Sequence, residues 1–424
     1  MLKHLHFQIL ISVFTWRPAG LPLTVLLFLV FLSSQGFAQA DLSPLKVGLI
    51  APLSGPWARP GQVMRIAAEQ AVAEINAQGG IASLGGAPVE LVVYDAGDNV
   101  ERAKNAAQRM VAEEPDLIGA VGAYLSSFTL AVTEVTERAE VPILTLSYSD
   151  LITSRGFSYV FQTSASGAVQ SSGALPILMD MAQSASGRRP QTIAIIMDNT
   201  AASEAFVKPF FETDILQEYG LELIVNEVFT PPLSNATSLI QHVRAERPDL
   251  LLLLPTAISD TKLLLEKMYE FGLGRGLIPT ISNGAAMGDP DLSANMPDFL
   301  LEGVMSIVAN WSTQGQDQVI EKFKSLSGEP WMTQHPLSTY GHVWLYKEAL
   351  EQSASRDSNI IADTLRNMTL TQGAINYFPG DVLRFDRTGK RIDAGILVIQ
   401  WQDGVPLTVF PQAEATSTVR WPNL

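Results

Sequence analysis

The sequence predicts an α/β fold made of two parallel-sheet series, each wound with helices. Short β-branched runs alternate with segments of helical spacing from Leu45 almost to the end of the chain, and that alternation is the mark of βαβ units. Two such series are separated by a looser stretch of small and polar residues, and no long repeat or low-complexity linker interrupts them.

In the first series, Lys46 to Ala51 and Val89 to Tyr94 read as strands. Between them Met64, Ala68, Ala71 and Ile75 fall at helical spacing, ended by Gly79 and Gly80. Asp98 is a candidate cap for a helix running to Ala112. The strand Leu117 to Gly122, the helix Leu130 to Ala139 and the strand Val141 to Leu146 follow. From Gln162 to Arg189 the pattern loosens, with one helix-like stretch from Gly173 to Met181. The second series has strands at Thr192 to Met197, Glu222 to Phe229, Asp249 to Leu254 and Leu277 to Ser282, with helices between them. After Gly303 come a further strand, helices around Gln316 to Leu326 and Leu337 to Glu351, and a C-terminal pair of strands, Val382 to Phe385 and Ala394 to Trp401. That tail is too short for a third domain, so it is expected to complete lobes begun earlier, leaving them joined by several short crossings suited to hinge closure.

The first forty residues have no acidic residue, carry Lys3 and Arg17, run apolar from Leu21 to Leu32 and end on Ala38-Gln39-Ala40. This order describes a secretory signal peptide cleaved after Ala40, because the apolar core is shorter than a membrane span needs. Its removal takes the formal charge from −15 to −17, since Lys3 and Arg17 are its only Lys, Arg, Asp or Glu residues. An acidic surface repels phosphate backbones and anionic lipid, so neither nucleic acid nor a membrane surface is an expected partner. With no cysteine in the chain, disulfides and a lipidated cysteine are excluded, and a freely soluble periplasmic protein is expected.

The motifs of enzyme chemistry are missing. His335 and His342, seven apart, lack the spacing and partners of a metal site and read as surface or capping residues. There is no G-x-S-x-G elbow and no phosphate-cradling G-x-x-x-x-G-K-[ST] motif. The Gly272, Gly274, Gly276 run follows a helix and precedes a strand, the reverse of a dinucleotide fingerprint. No cofactor, no metal and no catalysis are expected.

The candidate site is instead one of binding. Ser126 and Ser127 stand between the Leu117 to Gly122 strand and the following helix, where hydroxyls and unpaired backbone N–H groups can hold a carboxylate or similar head group, or simply cap the helix. Ser147, Tyr148 and Ser149 end the adjacent strand. Ligands in open α/β sheets sit beyond the carboxyl ends of strands, which puts both serine clusters at one cleft edge. Trp57, in the loop after the first strand, can cover a ligand or pack on the next helix.

The stretch from Val47 to Pro56, the run Ala71 to Ile81, and Tyr94-Asp95, Val121-Gly122, Ser126-Ser127 and Thr153 to Phe157 follow one another in an order that resembles the leucine/isoleucine/valine-binding protein family. Past Gln162 the likeness is looser, though Arg384-Phe385-Asp386 and Gly389 still resemble it. The resemblance implies the type I periplasmic binding-protein fold: two doubly wound lobes, three crossings, a small-molecule ligand in the cleft and ABC transporter membrane subunits as partners. On this basis lobe 1 is expected to comprise residues 41–165 and 305–380, and lobe 2 residues 166–304 and 381–424. Across the cleft, Asp198, Thr256 and Asn283 occupy the strand ends of the second lobe. Where the family often has Tyr-Gly, this chain has Ala201-Ala202-Ser203. Where it commonly has an acidic residue for an amino group, this chain reads Ser282-Asn283-Gly284-Ala285. These departures point to a carboxylate or amide ligand without an essential α-amino group. A solute-binding subunit of an ABC transporter, capturing a small amino acid-like, amide-like or organic acid ligand by lobe closure, is the leading expectation, ahead of an extracytoplasmic ligand sensor and of an enzyme of unrecognised type.

Overall fold

The computed structural model describes residues 42–313 and 315–421, so the expected signal peptide lies outside the described residues. Two sheets organise the chain. The first is five-stranded and parallel, in the order β2-β1-β3-β4-β5, built from β1 (Leu45–Ala51), β2 (Val89–Asp95), β3 (Leu117–Gly122), β4 (Ile143–Thr145) and β5 (Val160–Gln162). Its helices are α1 (Ala58–Ala77), α2 (Val100–Glu113) and α3 (Ser126–Arg138). The whole of β3 is buried, as expected of a strand covered by helices on both faces.

After β5 the chain crosses into α4 (Gly167–Ser186) and the second sheet. There β6 (Thr192–Asp198), α5 (Ala201–Glu212), α6 (Ile215–Glu218), β7 (Glu222–Phe229), α7 (Thr237–Glu246), β8 (Leu250–Leu254), α8 (Ile258–Glu270), β9 (Thr280–Asn283), α9 (Pro290–Asn295) and β10 (Met305–Val308) follow in turn. The chain then returns to the first lobe as α10 (Asp317–Ser327), α11 (Gln334–Ser353) and α12 (Ser358–Asn367). A two-stranded ribbon of β11 (Thr369–Leu370) and β12 (Leu383–Arg384) comes next. A third crossing leads to β13 (Leu397–Gln402) and β14 (Val405–Phe410), which add an antiparallel edge to the second sheet, in the order β14-β13-β10-β9-β8-β6-β7. Each sheet carries apolar clusters on both faces; the five leucines of β8 are buried throughout.

Pairing moves two of the expected lobe boundaries. The strand placed at the start of the returning segment, Met305–Val308, pairs with β9 and β13 and so belongs to the second sheet. The return comes after it. Likewise Leu383 and Phe385 pack in the first-lobe core, and the chain joins the second sheet again only at β13. The expected C-terminal strand pair is therefore split between lobes: β12 pairs with β11, and β13 forms a hairpin with β14. Hydrophobic alternation marks a strand but does not say which edge it will join.

The crossings are tied to each other. The backbone of Gln162, at the first, exchanges hydrogen bonds with Gly389 and Arg391 at the third. Asn310, at the second, donates to Ser338 of α11 and to the Tyr377 carbonyl. Helix α11 lies against β3 at Gly119, where an added Cβ would come within 2.4 Å of the Tyr346 ring. That close approach lets the Tyr346 hydroxyl reach the Ala120 and Pro142 carbonyls. The same packing buries most of α11, so His335 and His342 are buried residues of the first lobe and not the surface or capping histidines expected.

Candidate functional site

A cavity of about 60 Å³ lies where the carboxyl ends of the two sheets face each other. From the first lobe its wall takes Tyr124 and Ser126 after β3, Leu146 and Tyr148 after β4, and Gln334 and His335 at the start of α11. From the second it takes Ala202 and Ser203 at the start of α5, Leu254 to Thr256 after β8, and Asn283 to Ala286 after β9. A ligand beyond the strand ends of both lobes can be touched by both at once.

Ser126 opens α3, whose first turn has no side-chain cap. Its Oγ accepts from the backbone N–H of Tyr148 at 3.0 Å and of Ser149 at 3.1 Å. With both lone pairs engaged, the hydroxyl proton is left to donate into the cavity. Tyr148 donates its hydroxyl to Gln334 Oε1 at 2.7 Å, and the same oxygen accepts from the Ala309 backbone N–H at 3.2 Å. Because a backbone N–H can only donate, the amide oxygen must face it and the Gln334 NH2 group turns to the cavity. Asn283 is oriented oppositely. Its NH2 group donates to Gln170 Oε1 at 2.8 Å and to the Ile307 carbonyl at 3.2 Å, leaving its own oxygen as an acceptor. The wall therefore offers donors from the first lobe and an acceptor from the second. Gly284, with φ +87° and ψ −176°, makes the turn that lets the backbone pass the Tyr148 ring, which an added Cβ would touch at 3.5 Å.

Of the eight candidate residues, Ser126, Tyr148 and Asn283 line the cavity and the other five do not. Ser147 is fully buried behind the wall, bonded to Thr129, Thr145 and the carbonyls of Ala123 and Tyr124. Ser149 turns its Oγ to the Leu151 N–H, capping a short turn. Ser127 sits one residue into α3, outside the wall. Trp57 packs edge-on against Phe128, with ring centres 5.8 Å apart, and supports the cluster holding Tyr124 and Leu146. Asp198, also fully buried, is a positioning group. Its oxygens accept from Thr200, from the Ser203 hydroxyl, and from the Thr256 N–H and hydroxyl, fixing two wall residues. In the segment after β4, Tyr148 faces the cleft while Ser147 and Ser149 do not. Asp95 accepts from Leu53, Ser54 and Gly97, and Asn99, not the expected Asp98, caps α2.

Sequence reasoning missed Tyr124, Gln334 and His335. Tyr124 is two residues before Ser126 and was within reach of the same argument; Gln334 and His335 lie more than 200 residues downstream with no local signal. Tyr124 and His335 stack obliquely, with ring centres 4.3 Å apart. The Tyr124 hydroxyl is buried without a hydrogen-bond partner among the described residues, and burial pushes its pKa well up. Burial also keeps His335 neutral, lowering its pKa to about 3.

A sequence profile described as periplasmic binding protein matches residues 44–405. The chain belongs to that family. Within the periplasmic binding proteins, Leu/Ile/Val-binding protein homolog 7 of Brucella suis is 27% identical over 394 residues, covering 91% of this chain and 95% of its own length. The branched-chain amino acid transporter substrate binding protein LivJ of Streptococcus pneumoniae, solved with isoleucine, superposes with a TM-score of 0.72 at 17% identity over 86% of this chain and all of its own. A solute binding protein of an ABC transporter from R. palustris, solved with benzoate, gives 0.71 at 15% identity over 90% and 99%. The fold is the type I periplasmic binding-protein fold.

Proposed function

We propose that this periplasmic binding protein captures a small apolar carboxylate, or the corresponding amide, by closing its lobes, and hands it to the membrane subunits of an ABC transporter. The observation that carries the reading is the chemistry of the cavity wall. Ser126 and Gln334 supply donors, Asn283 an acceptor, and the rest is largely apolar, with no carboxylate to hold an ammonium group. An unpaired buried ammonium is costly, so α-amino acids are disfavoured relative to acids and amides of the same shape. The uncapped starts of α3 and α5 add backbone N–H groups and favourable dipole ends to the same cavity. Closure follows from a wall shared between lobes, because contacts made only in the closed state are what favour it. Export to the periplasm, with removal of residues 1–40, is part of this reading.

The test is a thermal-shift screen of the chain from Asp41 onward against benzoate, 4-hydroxybenzoate, isovalerate, their amides, and leucine, isoleucine and valine. A ligand at about a hundred times its Kd stabilises the folded state by about 2.7 kcal/mol. Acids and amides should shift the transition more than the amino acids, and mass spectrometry should recover them unchanged. A larger shift with leucine would refute the ligand class.

A further inference from the structure

Among the described residues, no Asp, Glu, Lys or Arg lines the cavity. Among its titratable side chains, Tyr124 and Tyr148 hold their protons more tightly than usual because burial disfavours the phenolate, and neither can become positive. His335 can. It is the second residue of α11, only 8% exposed, and its ring nitrogens make no hydrogen bond among the described residues. Beside it the Tyr124 hydroxyl is buried and has no partner among the described residues. A buried hydroxyl left unpaired is costly, and the His335 ring lines the same cavity, so a molecule that accepts from Tyr124 and meets the imidazole suits this space.

A carboxylate brought into this space is a buried charge without a counter-charge. Helix starts supply only about half a charge each. An anion next to an imidazole favours the imidazolium, and the combination of His335, Tyr124 and an acid satisfies every group. We propose that an acid is captured together with one proton, drawn from solvent and held on His335 or shared between its ring and the ligand, making His335 the residue that selects acids and couples their capture to pH. In balance, neutral His335, a carboxylate and one proton give a complex of unchanged net charge. The inference rests on the ligand class argued above.

The surroundings leave His335 as the responsive group. From the β3–α3 loop it meets Tyr124, and from the β4 loop Tyr148 is committed to Gln334. On its own helix, His342 is turned to Thr163 and stacked on Phe378, away from the cavity. In the second lobe, outside the wall, Asp289 influences Tyr124; burial raises its pKa to about 6, and Arg59, paired to Glu329 at 2.5 Å, opposes that rise. Asp289 is a nearby acid whose titration must be separated from that of His335.

Calorimetry with benzoate and benzamide, in buffers of different ionisation enthalpy at about pH 5.5, reads the protons taken up per ligand bound. Benzoate should take up close to one proton and benzamide none, and benzoate affinity should fall by up to about tenfold per pH unit as pH is raised, with benzamide flat. His335→Gln keeps a polar side chain that cannot become charged. It should abolish the uptake and the pH slope and cost benzoate roughly tenfold more affinity than it costs benzamide, whose remaining binding reports a cavity that still forms. Asp289→Asn should retain the uptake. Benzoate binding without a proton, uptake that survives His335→Gln, or uptake lost in Asp289→Asn would each overturn the assignment. If leucine binds and no acid does, the ligand class itself fails and the inference with it, an outcome distinct from acids that bind without a proton.

Discussion

Replacing Ser126 by Ala tests the site and its scaffold together. Its Oγ is the acceptor for two buried backbone N–H groups, those of Tyr148 and Ser149, and leaving a buried donor unpaired costs about 1 to 3 kcal/mol. Both groups sit on one loop, so the expected loss of stability is roughly 2 to 6 kcal/mol, toward the lower figure if the loop relaxes onto water. Binding is weakened separately. The hydroxyl proton aimed at the cavity is lost, worth about 1.5 to 3 kcal/mol against a charged ligand, or ten- to a hundredfold in Kd. The loosened loop also carries Tyr148, which orients Gln334. Ser149→Ala is the matched control: its Oγ only caps the Leu151 N–H at 3.4 Å and faces away from the cavity, so affinity should stay within about twofold. Urea unfolding measures the stability of both variants, and calorimetry with the best ligand of the screen measures affinity. A Ser126→Ala protein with wild-type stability and affinity, or a Ser149→Ala protein as impaired as Ser126→Ala, would refute this account of the wall.

Gly284→Ala forces a side chain onto φ +87° and ψ −176°, a region open essentially to glycine, and against the Tyr148 ring. It should cost about 1 to 3 kcal/mol in urea unfolding and weaken ligand binding in calorimetry. Asp289, whose pKa burial raises from 3.8 to about 6, favours the folded state most when protonated. The sign is that of a raised folded-state pKa: its contribution is complete below about pH 4 and is lost as pH rises through 6. Wild type should therefore lose stability relative to Asp289→Asn by on the order of 3 kcal/mol between about pH 4 and 7, and parallel stability profiles of the two proteins would contradict it. Mass spectrometry of the periplasmic fraction should find a chain beginning at Asp41, and a full-length cytoplasmic chain would count against export.

Much of the fold could be read from the chain because its signals are local. The buried runs of β3 and β8, the helical stripe of α1 and the βαβ rhythm are written in consecutive residues, and burial of those runs against neighbouring helices leaves few other arrangements. The ordered motifs from Val47 to Phe157 added the family, and with it the expectation of two lobes and a cleft. Local signals also located the cleft edge, since a ligand site beyond strand ends needs only the strand ends to be found. They did not say which of Ser126, Ser147 and Ser149 faces inward, because that depends on hydrogen bonds made across the loop: Ser126 is held at the wall by two N–H groups, and Ser147 is drawn behind it by Thr129 and two carbonyls.

Composition, periodicity and motif order thus pointed to the class of this protein: an α/β periplasmic binding protein with an acidic chain. Tertiary structure decided the site. Three crossings return α11 to the first lobe, so that Gln334 and His335 meet Tyr124 and Tyr148 from more than 180 positions away, and Met305–Val308 joins the sheet opposite the one expected. Burial then changes what these residues are. A histidine that reads as a surface residue becomes a neutral ring because desolvation disfavours its charged form, and an aspartate at a strand end becomes the scaffold of Thr256 and Ser203 because five donors converge on it. Neighbours brought together by folding set these roles, and no window of sequence contains them.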